Sequence, residues 1–283
     1  MKIIFSKKCL EYGKGSGHPE SSERVEVAYE FLKDKGCEFV EPDIAGEKDI
    51  LKVHSENLLN QVKQGNFFNA DSPVYENIFS YASLSVGGAI KAMEIALKGE
   101  NAFSLMRPPG HHASDNVEGF CYFNNIAVAV ARALEIVDKV AIIDIDVHHG
   151  NGTQNIFLKN DKVIYVSLHK KGIYPGTGLV SEKNCYNFPL EEDITEKDYL
   201  EKLREGLEKV KEFNPDLVAV SAGFDTYEKD LLVGLGLSKE FYEKIGREIN
   251  KLGVPVFSVL EGGYSLEIRE CVYNYLKGFN RFK

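Results

Sequence analysis

The sequence predicts an α/β domain of three layers, a mainly parallel sheet flanked by helices, spanning residues 1–283. Three observations predict it. Short apolar, β-branched runs recur along the chain, each followed by turn residues. Helical patterns lie between them, and strands alternating with helices imply parallel pairing. No Pro/Gly/Ser-rich linker, fixed-period repeat or low-complexity segment interrupts the chain, so a single domain is expected.

The elements run in order. Ile3-Ile4-Phe5 reads as the first strand. A helix opens near Ser21 and Ser22 and stops at Gly36, after Lys33 and Lys35. A longer helical pattern occupies about 73–99, and the run 102–106 is the next strand. Strands come next at 140–147 and 163–168. Thr195-Glu196-Lys197-Asp198 resembles a capping box, and its helix must end before Asn214-Pro215. A strand at 217–220, a helix from about 238 to about 253 and a strand at 254–260 complete the pattern.

Composition narrows the function classes. Hydrophobic residues make up 43% and charged residues 27%, as in an ordinary globular protein. The net charge of −9 argues against a nucleic-acid partner, which would favour a basic chain. No apolar stretch approaches the ~18 residues of a membrane span, and the apolar run near Met1 is too short for a signal-peptide core. Five widely spaced cysteines without a C-x-x-C pair suit reduced thiols, so a cytoplasmic setting is expected. Oligomeric state is not legible.

The strand ends are unusual. The run at 102–106 leads into Arg107-Pro108-Pro109-Gly110-His111-His112. The strand at 140–147 carries Asp144 and Asp146 and leads into His148. Later runs lead into Ser167-Leu168-His169, Ala222-Gly223-Phe224-Asp225 and Glu261-Gly262-Gly263-Tyr264. In open α/β sheets the carboxyl edge is where ligands bind. Asp144, Asp146 and His148 fall at i, i+2 and i+4, on one face of an extended strand. Crowded carboxylates need a compensating cation or hydrogen-bond donors; a divalent metal would compensate, and Asp225 can complete three protein ligands with a position left open for water. A salt-bridged strand end without metal is the plainer alternative. Two adjacent imidazoles after a rigid turn can act as general base and acid beside such water. A phenol at 264 can donate to a developing oxyanion.

Together with His18-Pro19-Glu20, Gly119-Phe120-Cys121-Tyr122-Phe123-Asn124-Asn125, His148-His149-Gly150-Asn151-Gly152-Thr153-Gln154 and Tyr174-Pro175-Gly176-Thr177-Gly178, these segments resemble the zinc-dependent histone deacetylase family. That family also holds acetylpolyamine amidohydrolases and acetoin-utilisation proteins. The string around Asn151 is similar to the class II pattern, since class I members place an aspartate there. The resemblance implies an arginase/deacetylase-like fold and hydrolysis of the N-acetyl amide of acetyl-lysine in proteins or peptides.

It also implies roles. Asp146, His148 and Asp225 would hold one catalytic zinc ion, with iron, cobalt or manganese as other candidates for a two-carboxylate, one-imidazole site. His111 and His112 would be the tandem catalytic histidines, with Asp144 orienting the first and Asn151 the second. An amide at 151 brings no negative charge, which favours a neutral His112 suited to be a base. Asp144, Asp146, His148, Ser167 and Leu168 would hold a structural K+ or Na+, largely through main-chain oxygens. Gly119, Phe120 and Tyr174 would line the substrate tunnel. Arg24 would line an acetate pocket, or else form a surface ion pair with Glu20 at i, i+4. Tyr264 stands where vertebrate class IIa members have histidine, which implies a competent deacetylase. Acetylpolyamine amidohydrolysis is the first rival reading, although 168–174 shows no inserted loop. A two-manganese ureohydrolase and a binding module without turnover are the remaining ones.

Overall fold

In a computed structural model describing residues 1–279, the sheet has eight strands. They are β1 (Lys2–Ile4), β2 (Phe39–Val40), β3 (Ala102–Ser104), β4 (Val140–Asp144), β5 (Val163–Lys170), β6 (Cys185–Leu190), β7 (Leu217–Ala222) and β8 (Val256–Leu260). Their spatial order is β2-β1-β3-β8-β7-β4-β5-β6, and every pairing between them is parallel. The mainly parallel sheet of the sequence reading is thus wholly parallel among the described strands.

Among the described residues, nine α-helices surround the strands: α1 (Ser22–Asp34), α2 (Glu47–Ile50), α3 (Glu56–Gln64), α4 (Ile78–Ala96), α5 (Asn125–Ala133), α6 (Asn151–Phe157), α7 (Glu196–Phe213), α8 (Phe241–Asn250) and α9 (Ile268–Phe279). Helices cover both faces, so the central strands are apolar throughout rather than alternating. Successive side chains still divide between the faces. Ala141, Ile143, Val218 and Val220 pack with Val25 and Leu32 of α1, Leu203 of α7, Ile245 of α8 and Val272 of α9. Val140, Ile142, Leu217 and Ala219 pack on the other side with Leu58 of α3, Val86 and Met93 of α4 and Val130 of α5.

Helix ends obey local chemistry. The Thr195 hydroxyl accepts from the Asp198 N–H at 3.2 Å, and Asn214 closes α7 in the left-handed region. The helix expected over 73–99 begins only at Ile78, because Asn77 sits at φ 59°, outside helical space. The strand expected over 140–147 ends at Asp144. Beyond it, side-chain carboxylates take the backbone amides. Asp146 N–H donates to Asp144 Oδ1 at 3.2 Å, Val147 N–H to Asp225 Oδ1 at 2.8 Å and His148 N–H to Asp146 Oδ1 at 2.9 Å. The same oxygens that crowd the strand end therefore peel the chain out of the sheet.

Candidate active site

All five segments singled out at strand ends meet at the carboxyl edge of the sheet. A cavity of about 210 Å³ opens there, lined by His111, His112, Gly119, Phe120, His148, Tyr174 and Tyr264. Asp71 and Leu232, which the sequence reading did not single out, also line it.

At its floor, ligand atoms of Asp146, His148 and Asp225 lie within 4.8 Å of one another. His148 Nδ1 is 3.0 Å from Asp146 Oδ1 and 3.3 Å from Asp225 Oδ2. Asp225 Oδ2 is buried without a hydrogen-bond partner. Such an atom costs free energy unless something supplies positive charge. Two glycines keep the space around these oxygens open. A Cβ at Gly262 would stand 2.1 Å from Asp225 Oδ2, and one at Gly223 would stand 2.2 Å from Asp146 Oδ2. Two carboxylates and an imidazole around an orphaned acceptor fit a divalent cation such as zinc. Burial opposes a charged His148, but the two carboxylates outweigh it and raise its pKa to about 10. Burial and the Asp146 charge push Asp225 up to about 7.

The tandem imidazoles sit 4.1 Å apart between ring centroids yet differ in environment. His111 Nδ1 is 3.0 Å from Asp144 Oδ2, which also accepts from the Tyr165 hydroxyl at 2.9 Å. Burial disfavours the His111 cation, but Asp144, Asp146 and Glu261 together hold its pKa well above the usual range. His112 Nδ1 is 2.7 Å from Asn151 Oδ1. Burial, then the positive charges of His111 and His148, hold His112 well below the usual range. The Asn151 bond acts in the opposite direction, so burial rather than the missing carboxylate sets the neutral state.

Tyr264 is placed by Gly262 and Gly263, the latter at φ 115°, which favours glycine. Burial and the Asp225 charge keep its phenol protonated. Phe120 also stands in the left-handed region, at φ 68°. That conformation costs about 1–2 kcal/mol for a residue with a Cβ. It is held by the paired backbone of Glu118 and Cys121, by its own N–H donated to Ser72 Oγ at 2.9 Å, and by edge-on contacts with His18 and Tyr264. Tyr174, 42% exposed, lines the same cavity.

Arg24 is 1% exposed and does not line this cavity. Its Nε donates to Gly263 O at 2.7 Å, its Nη2 to Glu261 O, and its guanidinium lies 5.3 Å from the Tyr264 ring centroid. The ion pair with Glu20 forms at 3.4 Å, but both partners are buried, so it is not the surface pair considered from the sequence. Ser167 aligns with Asp144 in the β4–β5 ladder, and Leu168 is the next residue of β5.

Three further residues support the site without having been assigned a role. The buried Glu261 accepts from the Gly110 N–H at 2.7 Å and the His111 N–H at 3.2 Å, pinning the histidine loop to the end of β8. Its place directly before Gly262-Gly263 was the available signal. Glu118 bonds Asn151 and Tyr174. Arg107 joins its loop to Glu20 through two 2.8 Å bonds.

Comparison with known proteins agrees with this geometry. A family model for the histone deacetylase domain matches residues 18–279. A probable deacetylase of Methanothermobacter thermautotrophicus is 39% identical over 94% of this chain and 86% of its own length. An acetylpolyamine amidohydrolase of Mycoplana ramosa is 36% identical over 74% of this chain and 65% of its own. Among solved structures, the HDA15 HD domain superposes with a TM-score of 0.89 at 30% identity, covering 98% of this chain and 88% of that one. An acetylpolyamine aminohydrolase from Burkholderia pseudomallei superposes with a TM-score of 0.88 at 25% identity, covering 99% of both chains. The family match runs through every strand-end segment that shapes the cavity, and the chain therefore belongs to the histone deacetylase family of amide-hydrolysing enzymes.

Proposed function

We propose that the chain is a zinc-dependent deacetylase that hydrolyses the N-acetyl amide at the end of a flexible methylene chain, with acetyl-lysine in proteins or peptides as the substrate. The observation that carries this reading is the sharing of one cavity by a neutral imidazole, a protonated phenol and the cation-ready His148. A divalent ion held by Asp146, His148 and Asp225 would polarise the acetyl carbonyl and acidify the attacking water.

The chain's own groups supply the rest. Phe120 and Tyr174 sleeve the methylene chain, and Gly119 leaves room beside them. His112 accepts the proton of the attacking water, and Asn151 holds its ring. The Tyr264 hydroxyl donates to the developing oxyanion. A histidinium of the tandem pair returns a proton to the leaving amine, while Asp144 orients His111. Arg24, behind Tyr264, would wall the space through which acetate leaves. Asp144, Asp146, His148, Ser167 and Leu168 would hold K+ or Na+ through main-chain oxygens. A cytoplasmic setting belongs to the same proposal, supported by five free cysteines.

Acetylpolyamines are the second reading, favoured by relatives that bear that name. Relatives of both names match this chain at similar identity, so likeness alone does not separate the two. Steady-state kinetics on acetyl-lysine peptides and acetylated polyamines, with and without a hydroxamate, test the proposal. Hydroxamate-sensitive turnover with higher kcat/KM on peptides supports it. Preference for polyamines replaces the substrate, and no acetate release from either class overturns the activity. Elemental analysis after purification without chelator identifies the metal.

A further inference from the structure

We propose that Glu118 is a positioning residue that sets which ring nitrogen of His112 carries the proton. This rests on the reading of His112 as the base.

Glu118 leads the turn that shapes the tunnel wall. Its backbone is fixed by two bonds with Cys121, N–H to O at 3.0 Å and O to N–H at 2.9 Å. Its half-buried side chain points toward the site. Oε1 accepts from Asn151 Nδ2 at 2.9 Å and from the Tyr174 hydroxyl at 2.9 Å. Burial and the Glu118 charge keep that phenol protonated, so Tyr174 is a donor here.

The direction of every bond is then determined. An ionised carboxylate accepts and never donates. Asn151 must therefore turn its NH2 toward Glu118 and its carbonyl toward His112. The Asn151 carbonyl, 2.7 Å from His112 Nδ1, also only accepts. In the neutral ring Nδ1 must then carry the hydrogen, and the lone pair falls on Nε2. An amide alone would not secure this, because it can rotate by 180° and offer NH2 to Nδ1 instead. Glu118 removes that freedom. It lends His112 the directional effect of a carboxylate while keeping the charge one residue away. Its bond to Tyr174 ties the same oxygen to the tunnel wall, so substrate channel and base share one anchor.

The test inverts the donor. Glu118→Lys presents only N–H groups, which pull the Asn151 carbonyl away and turn its NH2 toward His112. The wrong tautomer should lower kcat on the order of 10²–10⁴-fold, with a smaller change in KM. Adding Asn151→Asp to that variant places an acceptor between the introduced ammonium group and His112, and should restore kcat to within about tenfold of the parent. Glu118→Gln, which permits both amide orientations, should lose only about two- to fivefold. Nitrogen-15 NMR of histidine-labelled, metal-loaded protein reads the tautomer independently of any substrate. Nδ1–H in the parent, Nε2–H in Glu118→Lys and Nδ1–H again in the double variant support the proposal. Nε2–H in the parent, or unchanged Nδ1–H in a folded Glu118→Lys, overturns it. If Glu118→Lys does not fold, a single Nδ1–H tautomer in Glu118→Gln overturns it, and a mixed population supports it. Because the tautomer is read without turnover, a wrong substrate assignment leaves this outcome intact.

Discussion

Two buried charge clusters in this molecule are built on opposite terms. Around Glu20, two guanidinium groups share one carboxylate, and the donors of Arg107 are fully matched. All five N–H groups of Arg107 find acceptors: Glu20 Oε1 and Oε2 at 2.8 Å, Glu20 O at 3.0 Å, Cys9 O at 2.9 Å and Tyr12 O at 3.1 Å. The guanidinium also stacks 3.6 Å over the Tyr12 ring. Around Asp146 and Asp225, two carboxylates share one imidazole, and one oxygen has no hydrogen-bond partner. Equal burial thus serves a strut in one case and, in the function proposed above, a socket in the other. An unfinished cluster points to function more directly, because a bound cation would offset its cost.

The difference can be broken most completely at the socket. Asp225→Ala should lose stoichiometric metal and activity together, measured by elemental analysis and acetate release. Gly262→Ala should do the same by filling the space over both carboxylates. Retained metal in either variant would make the two clusters alike. Next comes the strut. Glu20→Leu leaves two buried guanidinium groups without their shared carboxylate and should cost about 3–5 kcal/mol of stability. Chemical denaturation of metal-free protein measures it, and a loss below about 1 kcal/mol would deny the strut its role. Tyr264→Phe leaves both clusters whole and should lower kcat on the order of 10²–10³-fold with metal retained.

The smallest effect sharpens the comparison through protons. With His148 raised to about 10, the metal-free socket carries a proton at pH 7 that ligation must displace. Metal affinity should therefore rise as pH increases toward 10, by up to about tenfold per unit for each proton released. Calorimetric titrations in buffers of different ionisation enthalpy would show that release. An affinity flat between about pH 6 and 9 would contradict it.

Much of this is legible in the sequence alone. The central strands are long apolar runs, and their ends carry the site residues in short, unusual strings. The edge strands were not legible. β2 is two residues long, and β6 holds Asn187 and Pro189, which an interior strand would not tolerate. Helix α5 reads Asn-Ile-Ala-Val-Ala-Val-Ala-Arg-Ala, apolar enough that its period is hidden. The early end of β4 is not legible, because alternation describes an extended chain and not the carboxylates that capture its amides. Glu118 and Glu261 were invisible as partners, since their importance lies in contacts 33 and 151 residues away along the chain.

The sheet order carries one consequence for biosynthesis. β8, the last of the described strands in chain order, lies between β3 and β7 near the middle of the sheet. Until residues 256–260 emerge, β3 and β7 each present an open edge to solvent, the arrangement most prone to pairing with another chain. Insertion of β8 closes both edges and delivers the Glu261–Tyr264 turn to the waiting histidines. The candidate site is therefore completed in the same event that closes these two edges.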